Sequence, residues 1–129
     1  ISKTVTFTGA ADLGAIGNVP IFTVTGEVLI AVFVPTVTVT LVGATATIAL
    51  GVTGKTTFFL AASTATGLAA AEAWLSTGGE VNAFAVPAGF KDIWCTDNII
   101  GTVATAAITA GAIRFDVWWG PLSPGATVT

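Results

Sequence analysis

The sequence has no histidine, methionine, tyrosine or glutamine, only one cysteine, and little charge. Asp, Glu, Lys and Arg make up 9% of its 129 residues, against about 25% in an ordinary soluble domain. Each shortage closes off some chemistry. Without histidine there is no Ser-His-Asp triad, no Cys-His dyad and no His-ligated zinc. With Cys95 alone there is no intrachain disulfide, so folding does not rest on oxidative stapling. Four basic residues against seven acidic ones give a net charge of −3, which leaves no basic patch to grip nucleic-acid phosphates. With no initiator methionine, Ile1 implies either that residues precede it or that the chain is cleaved. Long apolar runs are also missing. Hydrophobic residues make up 53% of the chain, yet the longest strongly apolar run is Val28 to Pro35, far below the ~20 residues of a spanning helix. No charged segment leads into an apolar one as in a signal peptide. A membrane barrel would carry aromatic girdles, and the chain has no Tyr for them. Neither nucleic acid nor a membrane is an expected partner.

What the chain has in quantity is Thr, Val, Ala and Gly. Thr and Val are β-branched and favour strands. Alternation is clear over Lys3 to Thr8, with Val5 and Phe7 on one face, and over Thr36 to Leu41, which reads as a half-buried strand. It recurs over Ile21 to Thr25 and over Thr45 to Val52. Gly and Pro punctuate these runs. Gly26, Gly43 and Gly54 mark turns or bulges, and Pro35 reads as a strand end. Thr66 to Leu75 is rich in Ala and Leu and predicts at most one short helix near 66–75. Strands resume over Glu80 to Val86 and Lys91 to Cys95. Ile99 to Ala106 and Ile113 to Trp119 predict a long C-terminal hairpin turning at Thr109 to Ala112. The tail, 121–129, is rich in Pro and Gly and predicts no regular structure. Eight to ten short strands at roughly ten-residue spacing predict an all-β fold, an antiparallel β-sandwich with a jelly-roll-like arrangement, in a single domain over 1–129.

The candidate chemistry is sparse. Asp92, Asp97 and Asp116 lie near the C-terminal strands, with Glu27, Glu72 and Glu80 elsewhere, and no spacing singles out an acid/base pair of the glycosidase kind. Asp92, Asp97 and Asn98 fall short of a calcium loop, and Asp97-Asn98 reads as a turn whose side chains bond their own backbone. Cys95 has no base to activate it and follows Ile93-Trp94 in an apolar strand, as a buried structural thiol would. Gly51-Val52-Thr53-Gly54-Lys55-Thr56 ends like a phosphate-binding loop, but the Gly that such a loop needs is Ala49 here. It reads as a hairpin turn carrying Lys55. No catalytic residue, no metal site and no cofactor is expected.

The C-terminal strand carries the surface features. Arg114 and Asp116, two apart, share one strand face, either as an exposed ion pair or as a polar contact with a partner subunit. Parity with Phe115 and Val117 sends Trp119 inward and Trp118 outward, beside Arg114 and Asp116. An outward Trp is a protein contact or a sugar platform, and the Pro-rich tail beside it points to protein contact. The candidate interface is therefore Arg114, Asp116, Trp118, Pro121 and Leu122. The apolar content also exceeds what one core of this size needs, so a partner surface is expected to cover the excess.

The stretch Ile108 to Ser123, with its Ile-Thr-Ala-Gly turn, aromatic strand and Pro-Leu-Ser tail, resembles a group of small tailed-bacteriophage virion proteins. Phe22 to Gly26 and Gly51 to Gly54 look similar too, so the resemblance spans roughly a third of the chain and includes no catalytic motif. Where relatives often carry a second Arg after the aromatic strand, this chain has Gly120. The resemblance implies a non-enzymatic capsid decoration, or cement, protein on the virion surface, with a homo-oligomer and the major capsid protein as partners. Such proteins often sit at local three-fold axes, which implies a homotrimer. The alternative is a module of a head fibre or tail that presents Trp118 or Trp94 to a host-surface glycan.

Overall fold

The computed structural model describes residues 1–129. The strands are β1 Ser2–Thr6, β2 Gly17–Phe22, β3 Val24–Thr25, β4 Val28–Val42, β5 Thr47–Val52, β6 Lys55–Thr64, β7 Lys91–Cys95, β8 Ile99–Ala104, β9 Ala110–Pro121 and β10 Thr127–Val128. They form two four-stranded sheets, β1-β9-β4-β7 and β2-β8-β5-β6, and a small β10-β3 ribbon. Every pairing is antiparallel.

The strand order follows from a single folding-over of the chain. β5 and β6 form a hairpin through Thr53-Gly54, with Gly54 at φ +83°. Outward from that hairpin in both chain directions, β4 pairs with β7, β2 with β8 and β1 with β9. Successive pairs fall alternately in the two sheets, and β9-β4 and β8-β5 close each sheet's centre. This eight-stranded order is that of a jelly roll, as the alternation pattern predicts.

Several local expectations are corrected. β8 and β9 do not pair as a hairpin: they lie in opposite sheets, and the segment between them crosses the sandwich. β9 pairs instead with β1 and with the longer β4, fifteen residues against the six of β8. The limit of at most one short helix near 66–75 does hold: a three-residue 3-10 turn at Ala65–Gly67 leads into chain laid along β4. That chain donates to β4 from Ala71 N to Val37 O (2.9 Å) and from Trp74 N to Pro35 O (2.9 Å), and Val37 N donates to Glu72 O (2.8 Å). Pro35 is consequently inside a strand and not at its end. Its carbonyl accepts from Trp74 N, so the side on which its N–H is missing faces the 71–74 segment at the sheet's edge, and the central ladder to β9 keeps its bonds. The segment 81–87 is not a strand; only Glu80 bridges to Ala73. The tail is ordered after all: Thr127–Val128 pair with β3, and Ser123 Oγ accepts from Glu27 N at 2.9 Å.

Bulges decide which side chains enter the core. Ala31 is an extra residue against β9, so Ile30 and Phe33 both point inward while Leu29 and Val32 both point outward. A second irregularity at Thr38, whose hydroxyl donates to Ala112 O (3.2 Å), turns Val39 out to 54% exposure although strict alternation would bury it.

One cluster of 30 buried residues runs from Val5 to Val128. Its centre is aromatic. Phe33 stacks on Phe115 at 6.0 Å within one sheet and meets Phe59 of the other edge-on at 5.0 Å, with Phe90 closing the group. Trp74 is fully buried, and its indole N–H donates to Ser63 Oγ at 2.8 Å, so the one buried hydroxyl and the indole satisfy each other. β6 folds closely over Gly51, where a Cβ would lie 2.2 Å from Lys55 O and 2.4 Å from the Thr56 carbonyl carbon. Gly51→Ala is expected to lower unfolding free energy by about 1–3 kcal/mol through overpacking. Gly120→Ala, with nothing within 4 Å, is expected to be near neutral. Urea unfolding of both variants measures the contrast.

Candidate functional site: an exposed sheet face and an end cleft

The sandwich uses one face of each sheet for its core, and the outer face of β1-β9-β4-β7 is unusually apolar. Its cross-strand rows are set by register. Leu29 lies between Trp94 of β7 and Gly120 of β9, and Val32 lies between Lys91 and Trp118 in the next row. Val34 then pairs with Asp116 and Thr36 with Arg114. Trp94 is 62% exposed and Trp118 59%, which are high values for a side chain with so much apolar area. Trp119 is turned inward and packs on the core, as its parity predicts.

The residues expected at the interface are strung along β9. Arg114 and Leu122 are about 27 Å apart at ~3.4 Å per strand residue. Arg114 and Asp116 meet on the outer face, with Arg114 Nε donating to Asp116 Oδ2 at 2.9 Å. Ser2 Oγ donates to the other Asp116 oxygen. The pair neutralises itself next to Trp118. Pro121 ends β9 opposite Val28, and Leu122 is exposed beyond it with its N–H donating to Glu27 O at 2.8 Å.

Sequence reading passed over two parts of the surface. A groove of about 270 Å³ runs where the 71–86 segment lies over β4, lined by Val34, Leu75, Val81, Phe84 and Val86 among others. It adjoins the outer face at Val34. Ala71 and Asn82 along it take left-handed backbone (φ +72° and +67°), which at Ala71 nothing in the local pattern signals. At one end of the sandwich lies a cleft of about 210 Å³ between the β5–β6 hairpin and the turn after β7. Trp94 and Phe58 line it, with Lys55 and Asp97 also at it.

The remaining polar residues act structurally. Asn98 does not bond its own backbone as expected. Its Oδ1 accepts from Val24 N at 2.9 Å and its carbonyl accepts from Thr53 N at 3.0 Å, which ties three segments together. The Gly-Lys-Thr sequence is a hairpin turn. The carboxylates are dispersed, and no three His, Cys, Asp or Glu side chains gather to hold a metal. No helix is long and apolar enough to cross a membrane. Comparison with protein-family models, curated proteins and solved structures finds no match.

Cys95 is buried, and its Sγ donates to Asp97 O at 3.2 Å. Burial pushes its pKa above the ordinary thiol value, partly offset by backbone hydrogen bonding of the sulfur at Asp97, while the Asp97 charge adds to the rise. The folded chain therefore holds this proton where the unfolded chain releases it, so stability falls as pH rises from the unfolded thiol pKa through the folded one. Alkylation by iodoacetamide at pH 8 is expected to be much slower for the native chain than for the chain in denaturant, as read by mass spectrometry. Arg114→Ala is expected to cost no more than about 1 kcal/mol of stability, because its ion pair is solvent-exposed.

Proposed function

We propose that this chain is a non-enzymatic virion structural protein, a capsid decoration protein that lays the outer face of its β1-β9-β4-β7 sheet against protein. Its partners in this reading are copies of itself, as a homotrimer, and the major capsid protein at the virion surface. The observation that carries the reading is the exposure of Trp94, Leu29 and Trp118 in two adjacent cross-strand rows of one sheet face, beside an Arg114–Asp116 pair that is already neutralised. A face of that composition gains little from water and much from a complementary apolar surface. The jelly-roll order agrees with this reading, since capsid domains use it, although a fold alone does not assign a function. The resemblance of Ile108 to Ser123 to phage virion proteins points the same way.

The mechanism is apolar burial with little electrostatic steering. Covering apolar surface yields about 25 cal/mol per Å² gross, offset by the cost of association. A standard interface of about 1,600 Å² would concentrate its affinity in the Trp anchors, where truncation commonly costs about 2 kcal/mol or more, or ~30-fold in Kd. Lys91 is the one unpaired cation in the two Trp rows of the face, so docking should depend little on ionic strength.

Three measurements test this. Particles washed at high salt should retain the protein; its release would overturn apolar docking. Trp118→Ala should weaken capsid binding by ~30-fold or more while leaving the circular dichroism and the unfolding midpoint close to wild type. The mass of the isolated chain in solution should be that of a trimer, and a monomer at all accessible concentrations would remove the trimer from the reading.

A further inference from the structure

The end cleft has a different character from the sheet face. Val52, Ile93 and Cys95 are among its apolar lining, and Trp94 and Phe58 add aromatic surface. Lys55 Nζ lies 5.9 Å from the Phe58 ring centroid, a cation–π placement that holds the ammonium at the cleft. Asp97, Thr53 and Thr96 add a carboxylate and two hydroxyls. Neither Lys55 nor Asp97 is in a salt bridge; the only one is Arg114–Asp116. The Thr53 N to Asn98 O bond ties the two sides together at 3.0 Å, so the cleft is preformed and not left to a flexible loop.

We infer that this cleft is a monosaccharide-binding site in which one pyranose ring lies against Trp94 and hydrogen-bonds to Lys55 and Asp97. A sugar ring has an apolar C–H face and a rim of hydroxyls that both donate and accept. Trp94 matches the first, and a donor-only ammonium, an acceptor-only carboxylate and two hydroxyls match the second. A wholly apolar ligand would strip water from Lys55 and Asp97 without replacing their hydrogen bonds. A phosphate would meet one cation beside a carboxylate on a chain of net charge −3, which disfavours it. At about 210 Å³ the cleft is below the ~300–1,000 Å³ of a drug-sized pocket, so it takes one ring and not a chain of them. The site shares Trp94 with the docking face, while Lys55, Phe58 and Asp97 lie off that face, so Trp118 and Asp97 variants separate the two readings.

The test is a titration of the 15N-labelled chain with the methyl glycosides of glucose, galactose and N-acetylglucosamine, and with sialic acid, into the millimolar range. The expected result is saturable amide shifts confined to 52–58 and 93–97 with at least one of the four. Trp94→Ala and Asp97→Asn should each weaken that binding at least ~10-fold, with an otherwise unchanged spectrum showing that each variant folds. Trp118→Ala should leave sugar binding intact. No response to any of the four, shifts centred on Trp118, or equal binding by Asp97→Asn would each overturn the assignment. Loss of capsid binding in Trp118→Ala with sugar binding retained would separate the two surfaces.

Discussion

The ladder between β4 and β9 is the constraint on which the rest of the molecule depends. These are the two longest strands, and their register sets both faces of the sheet they share. Inward, it sets Phe33, Val37, Ile113, Phe115 and Val117 against the second sheet. Outward, it aligns Leu29, Val32 and Val34 with Gly120, Trp118 and Asp116. Because the side-chain period of a strand is two, a slip of one residue would exchange these sets. The aromatic group around Phe33 and the exposed Trp row would then change places. The bulge at Ala31 carries that exchange out locally, and it is the reason Leu29 and Val32 both face out.

A jelly roll brings distant parts of the chain together in pairs, and the stabilising contacts are accordingly long-range. β1 meets β9 across more than a hundred residues of sequence. Asn98 binds Val24, and Ser123 caps Glu27. The chain achieves this with almost no charge. Its one salt bridge lies on the outer face, and its buried polar contacts are few and satisfied. Stability thus rests on packing, with Trp74–Ser63 as the buried polar contact that fixes the 68–75 segment on β6. That segment covers the edge of β4 beyond the end of β7 and shields a strand that would otherwise expose unpaired backbone.

The two surfaces singled out differ in what they ask of a partner. The sheet face offers area and exposed aromatic side chains, which suit another protein. The end cleft offers a small volume with unpaired donors and acceptors, which suits a small hydroxylated ligand. They meet at Trp94, whose neighbours are Leu29 on one side and the cleft on the other.

The sequence by itself determined the class of fold and the orientation of the C-terminal strand. The alternation of Val5 and Phe7 with Thr over Lys3 to Thr8 and the parity of Ile113 to Trp119 are local, and the chain expresses them wherever it packs. Trp118 out and Trp119 in were legible for that reason. So was the hairpin at Gly54, whose backbone requirement is met within four residues. Partners and bulges were decided by the tertiary structure. Nothing local makes β9 prefer β4 over its neighbour β8, turns the side of Pro35 that lacks an N–H toward the 71–74 segment, or turns Val39 out to solvent. Nor does anything local bring Lys55 and Asp97 to one cleft, since Lys55 opens β6, Asp97 lies in the turn after β7, and the two meet only when the jelly roll closes. Those outcomes depend on which pairing buries the most surface across the whole sandwich, a global comparison that a local pattern does not contain. The shortage of charge and the wealth of apolar residues were plain at the outset, but only the closed fold showed which of those residues were left at the surface.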